Sequence, residues 1–355
     1  MCEFAHPQIR TSSFYVLPYT LFPSPLISVL MLKRRDFLKN SGALFASSLL
    51  LKELHAQSFF KSNAHLDKIG LQLFSIPKLL EKDFAGTMTM LAQIGYKEIE
   101  FYGPYPFSTQ EAKDRWNGIT PSLGFSGSGY FGLKVEEVKK VLDYNGLTSS
   151  SMHTDLSTLS KGMDEMAEAA HILGQTYIIL PSYETQPNLD AYKRLAEQFN
   201  QIGAHAQKLG LRFAFHNHGN GLKEMEGKIP LDLILEQTDP KLVFLQMDIY
   251  WTTAGGIDPV AYLDKYAGRY RLIHIKDMIK EVRFSGDGGD PKQWIELFPY
   301  MTDAGSGVLD LKKIISHAKK SGVEHFILER DMVPDPDVAL VKSYKYLSQL
   351  DINPK

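Results

Sequence analysis

Short apolar runs recur eight times between residues 69 and 332, and each is followed by a segment with helical spacing. The runs span 69–76, 97–103, 148–155, 176–183, 211–218, 242–251, 270–278 and 324–332. Runs of this length, bounded by turn residues, read as buried strands. The third, TSSSMHTD, is the poorest in strand-forming residues. The intervening stretches are amphipathic: VEEVKKVLDYNG places Val135, Val138, Val141 and Leu142 on one helical face, and MDEMAEAAHILG does the same with Met163, Met166, Ala167, Ala170 and Leu173. Several end on a glycine suited to a left-handed helix cap, at Gly95, Gly146, Gly174, Gly210 and Gly322. Strand–helix alternation of this kind gives parallel strands joined by right-handed crossovers. Eight units suit a closed (β/α)8 TIM barrel, an α/β fold in a single domain over residues 68–350. An open doubly wound sheet is the alternative, but it would normally carry a glycine-rich nucleotide loop after the first strand, and LQLFSIPKLL has none. Segments 104–132 and 279–306 read as long loops, and both follow strands.

The N-terminal segment has a different character. Residues 31–56 start with a basic cluster containing Arg34-Arg35, continue into the apolar stretch Ala43–Leu51 and reach a small residue at Ala56. That is the layout of a removable export signal, and RRDFLK resembles the twin-arginine type. The expected location is therefore periplasmic or otherwise exported. The apolar stretch is too short to span a bilayer. Residues 1–30 read as an extension ahead of the true start, and 57–67 as a linker. Cys2 is the sole cysteine, which excludes disulfides and a cysteine nucleophile in the body of the chain. A net charge of −2 argues against nucleic acid as the partner.

Chemistry on a TIM barrel occurs at the C-terminal strand ends. Side-chain alternation sets Ala214, His216 and His218 on one face of strand 5, and Phe213 and Phe215 on the other. Strand 6 aligns Phe244, Gln246 and Asp248; strand 7, Leu272, His274 and Lys276; strand 8, Ile327, Glu329 and Asp331. Four consecutive strands thus deliver histidine, aspartate, histidine and glutamate to inward positions. Those are ligand types for a divalent cation. The metal set is His216, Asp248, His274 and Glu329, with His218 the alternative on strand 5. Ionisable groups pointing into a barrel are costly unless paired or liganded. Glu100 and His153, ending strands 2 and 3, are candidates for binding a substrate hydroxyl, and Trp251 for an apolar wall against a sugar ring. Lys276 is a candidate for holding an oxygen or donating a proton.

At these residues the chain resembles the sugar phosphate isomerase/epimerase family with the xylose isomerase-like TIM barrel. The matching words are FHNHGNG, GKIPLDLILEQTDPKLVFLQMDIYW, GRYRLIHIKDM, GSGVLDLKKII and FILERD. The resemblance implies a divalent metal (manganese, cobalt, zinc or magnesium) held by Asp248, His274, Glu329 and a strand-5 ligand at or near His216. Two departures stand out. Many members carry a glutamate where this chain has His216, and a histidine where it has Trp251. The two-carboxylate epimerase machinery is therefore incomplete. The expected chemistry is enolisation of a sugar or keto-sugar through an enediolate, with Glu329 the first candidate for the base and His218 or Lys276 the second. Isomerisation, epimerisation and elimination across a 3-keto-glycoside all start from that species. A non-catalytic carbohydrate-binding barrel is the rival reading.

Overall fold

The computed structural model describes residues 65–352. The extension, the signal-like segment and most of the linker lie outside the described residues. Eight parallel strands close into a barrel: β1 (Gly70–Gln72), β2 (Glu98–Tyr102), β3 (Thr148–His153), β4 (Tyr177–Leu180), β5 (Arg212–His216), β6 (Val243–Asp248), β7 (Tyr270–Ile275) and β8 (His325–Leu328). The ring closes because β1 pairs with both β2 and β8. All eight expected runs contain a barrel strand.

The helices cover the outside for the reason their spacing gives. In the helix Leu189–Lys208, Leu195, Phe199, Ile202 and Ala206 are buried, three or four residues apart, and Asn188 caps it by accepting from the Ala191 N–H at 2.9 Å. Phe199 meets Phe213 and Phe215, the outward residues of β5, with ring centroids 5.3 and 5.6 Å away. Burying one such ring contributes about 2–3 kcal/mol. Inside the barrel, Tyr177, Ile179, Ala214, Phe244, Leu272 and Ile327 form a separate apolar layer. The polar residues described below lie one step further along the same strands.

Two local expectations change, and the weakest expected strand holds. β3 forms despite its poor composition because its serines are bonded into the barrel: Ser149 Oγ donates to the Ile99 carbonyl at 2.8 Å, and Ser151 Oγ to Glu100 at 2.5 Å. Tertiary contacts override a weak strand propensity. Segment 104–132 is not all loop. It holds the helix Gln110–Leu123, started by Thr109, whose Oγ1 accepts from the Ala112 N–H at 3.3 Å. Segment 279–306 likewise holds the helix Pro291–Leu297, and Met301–Thr302 pairs antiparallel with Asp277–Met278. That segment packs on the β5 end through glycine. A Cβ on Gly219 would lie 2.4 Å from the Gly288 Cα, so side chains at this crossing are excluded. No helix among the described residues is long and apolar enough to cross a membrane.

Candidate metal centre

Register brings the C-terminal strand ends into line. His216 pairs with Gln246, Asp248 with His274, and Ile327 with His274. Glu329 follows β8 directly, its N–H bonded to the Ile275 carbonyl at 3.1 Å. Helix Ile249–Ala254 starts immediately after Asp248, and Asp248 caps it by accepting from the Trp251 N–H at 2.9 Å through Oδ1. Residues 249–251, expected as the end of a strand, are therefore helical.

That cap leaves the other oxygen, Oδ2, aimed into the barrel mouth. It is buried, and its nearest charged partner is Lys276 Nζ at 3.1 Å. His216 Nε2, equally buried and without a hydrogen-bond partner, lies 3.8 Å from it. His274 Nδ1 is 4.0 Å from the same oxygen and 2.7 Å from Glu329 Oε2. Asp248, His274 and Glu329 each offer a ligand atom within 4.8 Å of the others. A buried imidazole nitrogen without a hydrogen-bond partner, facing a carboxylate oxygen, needs an explanation, and a divalent cation between the two supplies one. Asp248, His274 and Glu329 thus form one candidate ligand group, His216 stands 3.8 Å from Asp248 and groups with His153 and His274, and these donor types fit a divalent metal.

A second cation already belongs to the chain. Lys276 Nζ lies 3.1 Å from Asp248 Oδ2, 2.8 Å from Glu329 Oε2 and 2.7 Å from Asp331 Oδ2. It is also 5.3 Å from the centre of the Trp251 ring. Burial opposes its charge, but the three carboxylates raise its pKa well above the ordinary lysine value. Burial pushes Asp248 upward despite Lys276. Burial would also raise Glu329, yet Lys276 and His274 hold it well below the usual carboxylate range. Burial brings Asp331 up to about 6, against the pull of Lys276. The imidazole of His274, beside Glu329 and Glu100, is raised to about 10 in spite of its burial. Burial and then neighbouring His274 push His216 well below its ordinary value, so it is neutral.

The remaining candidates divide. Glu100 and His153 belong to a polar layer with Gln72, Ser151 and Gln246, and His153 also forms a candidate ligand group with His216 and His274. Glu100 is fully buried, and its oxygens accept from Gln72 Nε2 (2.8 Å), Ser151 Oγ (2.5 Å), Gln246 Nε2 (2.8 Å) and His274 Nε2. Burial would raise its pKa, but His153 and His274 hold it well below the usual range. With its oxygens engaged inside the barrel, Glu100 supports the centre instead of facing a substrate. His218 stands in an aromatic wall. Its ring lies 4.4 Å from Trp294 and 5.9 Å from Trp251, and Trp251 stacks on Phe284 at 5.6 Å. Burial, with Lys276 nearby, lowers the His218 pKa to about 3, and its Nδ1 lacks a partner. Sequence reasoning assigned no role to Gln246, Asp331 or Trp294. Asp331 carried a usable signal, two residues beyond Glu329 on the same inward face.

A closed (β/α)8 barrel with histidine and carboxylate donors gathered at its C-terminal mouth defines a TIM-barrel protein with a candidate divalent-metal centre. The chain belongs to the xylose isomerase-like TIM barrel family, whose pattern matches residues 88–350. It is similar in structure to a sugar phosphate isomerase/epimerase from Parabacteroides distasonis, with 25% identity and a TM-score of 0.62, covering 82% of this chain and 97% of that one. It is similar in sequence to inosose dehydratase from Clostridium tetani, 27% identical over 183 residues, which make up 48% of this chain and 58% of that enzyme. The inosose dehydratase of Geobacillus thermodenitrificans is 26% identical over 241 residues, 60% of this chain and 80% of that enzyme. The chain thus spans little more than half of the first of these dehydratases.

Proposed function

We propose that this chain is a divalent-metal-dependent enzyme that enolises a keto-sugar and removes or adds water at the neighbouring carbon. The observation that carries the reading is the buried, unpartnered His216 Nε2, 3.8 Å from Asp248 Oδ2, beside the group of Asp248, His274 and Glu329, whose ligand atoms lie within 4.8 Å of one another. His216, Asp248, His274 and Glu329 would hold the ion, with manganese, cobalt, zinc and magnesium as the candidates. When bound, it supplies Lewis acidity to a carbonyl and its adjacent hydroxyl.

The rest is the work of side chains. Glu329, kept ionised, is the base for the acidified C–H. Asp331, brought up to about 6, carries a proton through part of the neutral range and can give it to a departing hydroxyl. The C–H electron pair becomes the new double bond, and the hydroxyl leaves as water. Lys276 keeps the three carboxylates at fixed spacing and balances their charge. The aromatic wall of His218, Trp251, Phe284 and Trp294 suits the apolar face of a sugar ring.

Loss of water is favoured over epimerisation by where the acids lie. Asp248, Glu329 and Asp331 all meet at Lys276, while the strand-5 side offers His216, His153 and Gln246. The carboxylate on that side, Glu100, is fully buried and takes hydrogen bonds from Gln72, Ser151, Gln246 and His274, so it is not free to reprotonate the opposite face. The dehydratase relatives point the same way. Isomerisation or epimerisation is the second reading, supported by the Parabacteroides distasonis protein. Lys276 is already paired with three acids and Arg330 with Asp303 at 2.5 Å, which suits an unphosphorylated substrate. The twin-arginine-like segment suits one met outside the cytoplasm.

The test is solvent-deuterium incorporation into keto-inositols and 3-keto-glycosides in heavy water, with manganese or with chelator. Metal-dependent exchange or loss of water that vanishes in Glu329→Gln supports the proposal. A protein that binds these sugars equally with and without metal, and exchanges no carbon-bound hydrogen, is a carbohydrate-binding barrel instead.

A further inference from the structure

Gln246 sits at the centre of the polar layer, on the inward face of β6, fully buried. Its carboxamide makes three hydrogen bonds. Nε2 donates to Glu100 Oε2 at 2.8 Å, and Oε1 accepts from His153 Nε2 at 2.7 Å and from His216 Nδ1 at 2.9 Å. The orientation of that amide is set by its neighbours. Glu100 already takes donors from Gln72, Ser151 and His274, so it is an acceptor to everything around it. Turning the amide over would put its oxygen against a carboxylate oxygen and its NH2 against two imidazole nitrogens. The carboxylate therefore holds the amide nitrogen on its own side and the amide oxygen on the histidine side.

An amide oxygen can only accept. His216 must then carry its proton on Nδ1, and a neutral imidazole has only one. Nε2 is left with a bare lone pair. That is the nitrogen found buried, without a partner, 3.8 Å from Asp248 Oδ2. We infer that Gln246 is the positioning residue of the metal centre: held by Glu100, its carbonyl oxygen fixes the His216 tautomer and turns Nε2 toward the ion. Glu100 also holds the His274 ring, accepting from Nε2, while Nδ1 faces Glu329 at 2.7 Å, so here the carboxylate orients the ring without choosing a tautomer. One buried carboxylate thus orients both imidazoles of the centre, one directly and one through Gln246. Partners of this kind, bonded to the far nitrogen of a ligand histidine, typically govern affinity by roughly 10–100-fold.

This inference rests on the metal reading of the site, so its test has two readouts. The first is the nitrogen-15 spectrum of the metal-free full-length protein, with the His216 ring assigned through His216→Gln. The inference expects a protonated Nδ1 and an unprotonated Nε2; a proton on Nε2 overturns it. The second is manganese affinity by titration calorimetry in wild type and Gln246→Met, which keeps the volume and removes the acceptor. The expected loss is roughly 10–100-fold, with the His216 tautomer shifted or mixed in the variant. Wild-type affinity retained within about threefold of the original, at the level of error in such comparisons, overturns the positioning role. If Gln246→Met does not fold, the wild-type tautomer still decides. If wild type binds none of manganese, cobalt, zinc and magnesium, the metal reading fails, whereas the tautomer readout separately tests what Gln246 does to His216.

Discussion

Replacing Lys276 with methionine removes the internal cation and nearly preserves the volume. Lys276 is 1% exposed and lies 2.7, 2.8 and 3.1 Å from the oxygens of Asp331, Glu329 and Asp248. Truncating one partner of a buried ion pair costs about 3–5 kcal/mol because the other charge stays buried. Three carboxylates are exposed to that penalty here. Two retain help: Glu329 keeps His274 at 2.7 Å, and Asp248 keeps the Trp251 N–H at 2.9 Å. The expected cost is therefore within that range, about 4 kcal/mol. At about 2–3 °C per kcal/mol for a domain of this size, the metal-free melting temperature falls by roughly 10 °C. The deficit depends on pH in a definite direction. Without Lys276 the folded-state pKa values of these acids rise above their unfolded values. The folded form then favours protonated acids, so the loss is smallest below pH 4 and grows as pH rises to neutral. Manganese restores positive charge to Asp248 and Glu329, so the metal-induced rise in melting temperature is larger in the variant than in wild type. Chelated and manganese-loaded samples followed by circular dichroism give all three quantities. A metal-free variant within about 1 kcal/mol of wild type at pH 7, the scale of an ordinary surface substitution, with an unchanged metal response, refutes the reasoning.

Further expectations concern individual side chains. Asp248→Asn weakens manganese binding by more than the roughly 10–100-fold typical of an outer partner, read by calorimetry. Asp331 titrates at about 6, so the turnover–pH profile carries a limb near that value; Asp331→Asn removes the limb, and an unchanged profile excludes Asp331 as the acid. His218 is lowered to about 3 by burial, so its neutral form stabilises the fold fully above pH 6.5, and that contribution is lost as pH falls toward 3. His218→Phe flattens this acid limb in urea titrations. Trp294→Ala removes the ring 4.4 Å from His218, worth about 0.5–1.5 kcal/mol, and raises KM more than it lowers kcat.

The outline of the barrel and the convergence of its last strands are legible because both follow from local periodicity. A two-residue alternation puts Asp248, His274 and Glu329 on the inward face whatever the rest of the chain does. What lies across the barrel has no such signal. Glu100 and His274 are 174 residues apart, and only closure of the ring shows that one carboxylate serves the other's imidazole. Gln246 is silent for a related reason: an uncharged amide on a strand reads as ordinary until two histidines and a carboxylate are found around it. Trp251 reads as the end of a strand because its neighbours are apolar, whereas Asp248 caps a helix at that point. The helix Gln110–Leu123 hides in a segment punctuated by proline and glycine, and Pro121 stands inside it.

The most direct check on the metal centre is anomalous diffraction at the manganese edge from crystals of the full-length protein grown with manganese. The account predicts one strong peak in the barrel mouth, about 2.0–2.3 Å from His216 Nε2, Asp248 Oδ2 and Glu329 and adjacent to His274 Nδ1. No peak there at saturating manganese, with Lys276 still filling the space between Asp248 and Glu329, would contradict it.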